Sequence, residues 1–158
     1  MSRRKYNRHP FMRFSFVVYV AMMLWLLFGR SQGWEDGMAY EDILRQNVNF
    51  KPLYTIQNYW KVITRHTNED VYIHCFINLV GNVVMFIPAG WLIPGIWRRH
   101  RNFFQFLATT LAAIFMIELT QLLSLLGSFD IDDVILNMAG LTIGYLAYIV
   151  THRKSPKH

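Results

Sequence analysis

Four apolar segments, each close to the length needed to cross a lipid bilayer, limit what this chain can fold into. They cover residues 14–29, 71–97, 103–126 and 131–150. A hydrocarbon core about 30 Å thick takes about 20 helical residues. Composition agrees, because 16% of the 158 residues are charged, against about a quarter in an average soluble domain. We therefore predict an all-α integral membrane protein: a four-helix bundle with a polar loop between helices 1 and 2.

The predicted membrane domain is a single unit, residues 14–150, between two short basic segments, residues 1–13 and 151–158. A basic start followed by a short apolar run is also typical of a secretory signal peptide. However, Gly29, Arg30 and Ser31 make a poor cleavage site, so we expect an uncleaved first helix.

The distribution of charge predicts the orientation of the bundle. Residues 1–13, 98–101 and 151–158 together hold 11 of the 16 basic residues and no acid, whereas residues 30–70 hold six of the ten acids. Basic residues concentrate on the cytoplasmic side of membrane proteins. We therefore expect cytoplasmic N- and C-termini and an extracytoplasmic loop at residues 30–70. The net charge of +6 then follows from topology, and we predict no nucleic-acid partner.

Polar residues interrupt the second, third and fourth apolar segments. Asn78, Gly81 and Asn82 share one face of a helix, and so do Asp133 and Asn137 on the last one. At 1.5 Å per residue, the polar groups of the three helices reach overlapping depths, roughly 8–16 Å below the outer surface, with Asp133 shallower. We predict a polar cleft in the outer leaflet. Its candidate ligand-binding residues are Asn78, Asn82, Glu118, Gln121, Asp133 and Asn137.

Glu118 is the centre of this predicted cleft. An ionised carboxylate inside the bilayer costs on the order of 3 kcal/mol, so we expect Glu118 to be protonated, hydrogen-bonded to an asparagine, or in contact with water. Glu118 and Asp133 are also candidate catalytic residues, since two carboxyl groups in different surroundings can serve as general acid and base. Whether the protein is an enzyme stays open at this point.

Purely structural roles fit some of these residues as well. Asparagines can join helices by hydrogen bonds, and Asp130 is expected to cap the fourth helix. The spacing of Gly140 and Gly144 allows a neighbouring helix to approach closely and makes a homo-oligomer through these glycines a further prediction.

No cofactor motif and no zinc site is evident in the sequence, and we assign none. His74 and Cys75 form an isolated pair without the spaced ligands that zinc needs. The carboxylates and carboxamides of the cleft would also suit a hard cation such as calcium or magnesium, and this alternative stays open.

The motifs resemble those of the VanZ-like family of small bacterial membrane proteins. The resemblance covers roughly residues 40–150 and rests on four ordered blocks. These are Val48-Asn49-Phe50-Lys51-Pro52-Leu53-Tyr54-Thr55-Ile56, then Asn78-x-x-Gly81-Asn82-x-x-x-Phe86-x-Pro88-x-Gly90, then Glu118-x-x-Gln121, and last Asp130-x-Asp132-Asp133-x-x-x-Asn137-x-x-Gly140-x-x-x-Gly144. An arginine often precedes the acidic cluster in that family, whereas Ser128 and Phe129 occupy the position here.

The resemblance implies a four-helix protein of the bacterial plasma membrane in a Gram-positive-type envelope. The family's namesake accompanies glycopeptide-resistance genes and is associated with lowered susceptibility to teicoplanin. The expected function is binding of a membrane lipid headgroup, a lipid-linked envelope precursor or a lipoglycopeptide in the polar cleft. The alternative is a small intramembrane enzyme that acts on a lipid-linked substrate, with Glu118 or Asp133 as acid or base.

Overall fold

The computed structural model describes residues 8–29, 39–65 and 69–152, so most of the two basic end segments predicted at 1–13 and 151–158 lies outside the described residues. Four of its helices are long and apolar enough to cross a membrane. They are α1 (Arg8–Phe28), α4 (Glu69–Ile96), α5 (Phe103–Leu123) and α6 (Ile131–His152). The predicted all-α architecture with four spans is confirmed.

Two helix ends differ by three residues or more from the bounds expected from hydropathy. α1 begins at Arg8, six residues before the apolar run, because Pro10 lies in its first turn, where the missing N–H needs no partner. α5 ends at Leu123, and the N–H groups of Leu126 and Gly127 both turn back to the carbonyl of Gln121.

The segment between α1 and α4 carries secondary structure of its own, where the sequence predicts only a polar loop. It contains α2 (Tyr40–Gln46), a short strand β1 (Val48–Asn49) and α3 (Tyr54–Arg65). β1 pairs in parallel with β2 (Phe129–Asp130), which lies just before α6. This pairing joins the loop to the turn after α5. We call this end of the bundle, with residues 39–65 and 124–130, the loop end.

α4 and α6 pack closely along their length because glycines remove the side chains between them. A Cβ atom at Gly140 would overlap the Val83 carbonyl, and one at Gly144 would overlap the Ile87 carbonyl. Both glycines are buried against α4 inside the chain. The predicted homo-oligomer through Gly140 and Gly144 stays a prediction, and these two positions are already covered by the chain itself.

The core joins α4, α5 and α6, with α1 attached along one side. Phe106 and Ile114 of α5 are buried in a cluster with Phe86 and Leu141. The hydroxyl of Tyr19 in α1 donates a 2.8 Å hydrogen bond to the Met85 carbonyl of α4. Many large apolar side chains on the outside of the bundle stay exposed, as lipid-facing surfaces require.

The opposite end of the bundle is basic. Arg98–Arg101 form a 3-10 turn in which the three arginines are exposed. Burial lowers the pKa of His100 in this turn, and the neighbouring Arg99 lowers it further. The hydroxyl of Tyr145 donates a 2.7 Å hydrogen bond to the Arg101 carbonyl, which fixes the turn against α6.

Candidate functional site

A cavity of about 480 Å³ lies between the membrane-spanning helices near the loop end. All six predicted ligand-binding residues line it, two from each of three helices. They are Asn78 and Asn82 of α4, Glu118 and Gln121 of α5, and Asp133 and Asn137 of α6. Helical spacing thus brings to one place six polar groups that lie up to 59 positions apart in the sequence.

Asn82 joins α4 to α6 across the cavity. Its Nδ2 donates a 2.5 Å hydrogen bond to Oδ1 of Asp133 and lies 3.5 Å from Oδ1 of Asn78. Both N–H groups of the Asn82 carboxamide are therefore directed at protein oxygens. One oxygen of Asp133 is held in place by this contact.

Glu118 and Asn137 form the deepest part of the polar wall. Their side chains are 3% and 2% exposed, and Nδ2 of Asn137 donates a 3.3 Å hydrogen bond to Oε1 of Glu118. Among the described residues, Oδ1 of Asn137 is buried and has no hydrogen-bond partner. Buried polar atoms without a partner are rare in folded proteins, and this one belongs to a residue of the cavity wall.

Gln121 connects the site to the first helix. Its Nε2 donates a 3.0 Å hydrogen bond to the Leu27 carbonyl near the end of α1. Trp25, Leu26 and Leu27 of α1 complete the wall of the cavity. Sequence reasoning missed this contribution, because these three residues are apolar and carry no signal of a site.

Gly81 contributes open space to the wall. A Cβ atom built at Gly81 would meet no other atom within 4 Å, unlike one at Gly140 or Gly144. A side chain added at Gly81 would therefore extend into space next to Asn78 and Asn82 without displacing a helix.

Asp132, which sequence reasoning did not place in the site, anchors the loop above the cavity. Its side chain is fully buried. Oδ1 accepts a 2.5 Å hydrogen bond from the Leu53 N–H, and Oδ2 accepts a 3.0 Å bond from the Ile56 N–H. These N–H groups lie at the start of α3, so Asp132 of α6 caps a helix about 75 positions earlier in the chain.

Asp130 holds the same loop at a second point. Oδ2 of Asp130 accepts a 2.6 Å hydrogen bond from the Thr55 hydroxyl, and the Asn49 amide lies 3.3 Å from both of its oxygens. Oδ1 also accepts a 2.8 Å bond from the Asp132 N–H, which is the capping contact expected for α6. Among the described residues, the contacts of the Asp130 carboxylate are therefore with hydroxyl and amide groups. An arginine, which often precedes the acidic cluster in the family, does not take this place.

The loop also places a tyrosine near the acids. Burial raises the pKa of the Tyr59 hydroxyl, and the negative charge of Asp133 raises it further. Cys75 and Asp130 add to this shift. Tyr59 of α3 therefore stays neutral, and able to donate a hydrogen bond, over a wider pH range than a free tyrosine.

Two carboxyl groups, those of Glu118 and Asp133, line the cavity. The carboxyl groups of Asp133 and Asp130 lie near enough to Glu118 to repel it when all are ionised. In the part of the chain that the structure describes, none of the side chains that line the cavity belongs to a lysine, arginine or histidine. Within the described part of the chain, no group of three or more His, Cys, Asp or Glu residues is arranged to hold a metal ion.

A second, apolar opening lies next to the polar cavity. This groove of about 220 Å³ is lined by residues of α1, α4, α5 and α6, among them Tyr19, Val20, Ala113 and Ile117. Leu27 lines both the groove and the polar cavity. Ile117 of the groove and Glu118 of the cavity are neighbours in α5. The two openings therefore adjoin at Leu27.

Four membrane-spanning helices around a polar cavity near one end define the class of this molecule, a small multi-pass membrane protein with an intramembrane polar site. The chain belongs to the VanZ/LLP1 family, whose model matches residues 16–152. The family resemblance expected from the sequence motifs is thereby confirmed. No curated protein and no solved structure matches the chain.

Proposed function

We propose that the polar cavity binds the headgroup of a membrane lipid, a lipid-linked envelope precursor or a lipoglycopeptide. The observation that carries this proposal is the convergence of six polar side chains from three helices on one cavity inside the bundle. Polar groups within a membrane span are costly. They are accordingly expected where a bound group or water satisfies them.

The adjoining apolar groove supports a ligand that carries a hydrocarbon chain. Its walls are almost entirely apolar, and it meets the polar cavity at Leu27. A lipid whose headgroup lies beside Glu118 would place its chain along Ile117 and Ile114, one turn farther along α5. A soluble polar ligand would leave this groove unused.

The charge distribution supports an orientation with the loop end on the outer face of a bacterial plasma membrane. The exposed arginines of Arg98–Arg101 lie at the opposite end, as the positive-inside rule requires of a cytoplasmic turn. A reporter enzyme that is active only outside the cytoplasm, fused after His158, is expected to be inactive. Activity of that fusion would reverse the orientation.

In a bacterial envelope, a cavity that binds a lipoglycopeptide can change how susceptible the cell is to that antibiotic. We propose that expression of this chain lowers the susceptibility of a Gram-positive host to teicoplanin. The measurement is the minimal inhibitory concentration with the native chain and with an empty vector. Equal concentrations in the two strains would contradict the resistance part of the proposal while leaving lipid binding to its own test.

Two substitutions test the cavity itself. Glu118→Gln keeps the shape and hydrogen-bonding capacity of the side chain but removes the acid, and Asn82→Ala removes the link to Asp133. We expect each variant to lose lipid binding by about tenfold, the effect of one charge-assisted hydrogen bond. Glu69→Gln, the same change at an exposed carboxylate outside the cavity, is the matched control. Unchanged lipid binding in both cavity variants would contradict the proposal that the cavity binds the lipid.

A second candidate function is supported by the placement of two carboxyl groups in one cavity. Glu118 and Asp133 line the same space and influence each other electrostatically, an arrangement that suits a general acid and base. In this case the protein would be a small intramembrane enzyme that acts on a lipid-linked substrate. It predicts that purified protein converts such a substrate and that Glu118→Gln abolishes turnover. Binding without turnover across lipid-linked substrates would favour the binding protein.

A further inference from the structure

The polar atoms of the cavity are not evenly divided between hydrogen-bond donors and acceptors. The carboxamide nitrogens of Asn82, Asn137 and Gln121 each donate to an oxygen of the protein. At least one N–H of each carboxamide is therefore engaged inside the chain. The wall also holds the Asn78 amide and the Ser128 hydroxyl, which belong to half-buried side chains, and the indole N–H of the exposed Trp25.

Acceptor capacity remains on the buried side of the wall, although Oε1 of Glu118 and Oδ1 of Asp133 each already accept one carboxamide N–H. Oδ1 of Asn137 is buried without a partner among the described residues. Beside it, Glu118 is 3% exposed, and the carboxylate of Asp133 lies on the next turn of α6. Among the described residues, no basic side chain lines the cavity to balance these oxygens.

We propose that the cavity recognises the primary ammonium group of an aminolipid headgroup. This inference rests on the proposed function and names the chemical class of its ligand. An ammonium group carries three N–H donors and a positive charge, which match the three acceptors on Glu118, Asp133 and Asn137. A phosphate group offers acceptors and negative charge, so the same oxygens repel it.

Three phospholipids with identical acyl chains separate the properties that matter. Phosphatidylethanolamine carries an ammonium with N–H donors, phosphatidylcholine carries a quaternary cation without donors, and phosphatidic acid carries neither. The measurement is native mass spectrometry of the full-length protein in detergent, with each lipid titrated. We expect the ethanolamine lipid to bind at least about tenfold more tightly than the choline lipid, since hydrogen bonds to charged groups contribute that much.

Substitutions test which side chains of the cavity cause the preference for the ethanolamine lipid. Glu118→Gln and Asn137→Leu are each expected to remove the preference for the ethanolamine lipid over the choline lipid. The matched controls are Glu69→Gln, at an exposed carboxylate, and Thr142→Val, on α6 away from the cavity. Both controls are expected to keep the preference. Glu118→Gln preserves the size of the side chain, so it tests the proposal even when Asn137→Leu fails to fold.

The outcomes distinguish this inference from the proposed function. Tightest binding of phosphatidic acid, or equal binding of all three lipids by native chain and variants, would overturn ammonium recognition while lipid binding itself stands. If none of the three lipids binds, both ammonium recognition and phospholipid binding are overturned, and the proposed function then rests on a lipid-linked precursor or a lipoglycopeptide alone.

Discussion

Asp132 connects the last helix to the start of α3. It is fully buried, and its two oxygens accept from the N–H groups of Leu53 and Ile56 at the start of α3. Leu53 itself has a positive φ of 64°, a conformation that leucine adopts only when its surroundings hold it there. One carboxylate thereby fixes the backbone of a loop that closes the bundle at the loop end.

We expect Asp132→Ala to destabilise the protein by about 2 kcal/mol, since it removes a helix cap and leaves two N–H groups without their acceptor. The loop should loosen before the bundle does. Hydrogen exchange of the α3 amides in detergent is the measurement, with global melting followed in parallel. Asp42→Ala, at an exposed acid in the first turn of α2, is the control. Unchanged exchange in α3 would contradict the capping role of Asp132.

Residue-level roles could be predicted from sequence only where local geometry determines them. The six polar residues of the cavity were predicted because helical periodicity and depth depend on spacing alone. Asp132 could not be assigned in this way, because its partners lie about 75 positions away. The apolar residues Trp25 and Leu27 were missed for a different reason: they resemble ordinary lipid-facing residues.

The α4–α6 pair is the element that holds the two polar faces together. Close approach at Gly140 and Gly144 sets the distance between the helices. That distance in turn allows Asn82 of α4 to reach Asp133 of α6. The glycines and the cavity are therefore linked, although the glycines themselves do not line it.

A methyl group is expected to have opposite effects at two glycines of this pair. Gly140→Ala forces the added carbon against the Val83 carbonyl, and we expect a loss of about 1–3 kcal/mol, as for other overpacked positions. Gly81→Ala adds the same methyl group where no atom lies within 4 Å. We expect it to be neutral or to stabilise α4 by up to about 1 kcal/mol. Thermal melting of both variants in one detergent is the measurement, and equal melting temperatures would contradict this packing.

At the level of elements, the sequence predicted the four long helices but not the structure of the segment between the first two. Apolar length is a local property, and it decides the spans. The strand pairing of Val48 with Phe129 joins positions 81 residues apart. The sequence of a two-residue strand does not predict which strand it pairs with. α3 packs against α4 and α6, and the Tyr40 hydroxyl of α2 donates a hydrogen bond to the Leu123 carbonyl at the end of α5. A single sequence does not display these contacts.

The whole molecule has two unlike ends. Negative groups and the polar cavity lie toward the loop end, whereas exposed arginines occupy the opposite turn. Between them, an apolar groove continues from the polar cavity at Leu27. This arrangement follows the profile of a membrane lipid, with a polar headgroup near one face and a chain extending inward. The proposed lipid binding would accordingly be a property of the assembled bundle rather than of any single helix.

The most direct test of lipid binding in the polar cavity compares the lipids that copurify with three proteins. They are the native chain and its variants Gly81→Ala and Gly81→Leu. Leucine at Gly81 would extend into the open space beside Asn78 and Asn82, while alanine leaves most of that space free. After mild-detergent purification and lipid extraction, mass spectrometry should find a retained lipid in the native protein and in Gly81→Ala. We predict its loss from a folded Gly81→Leu protein. Retention of the same lipid, in the same amount, by all three proteins would show that the cavity is not its binding site.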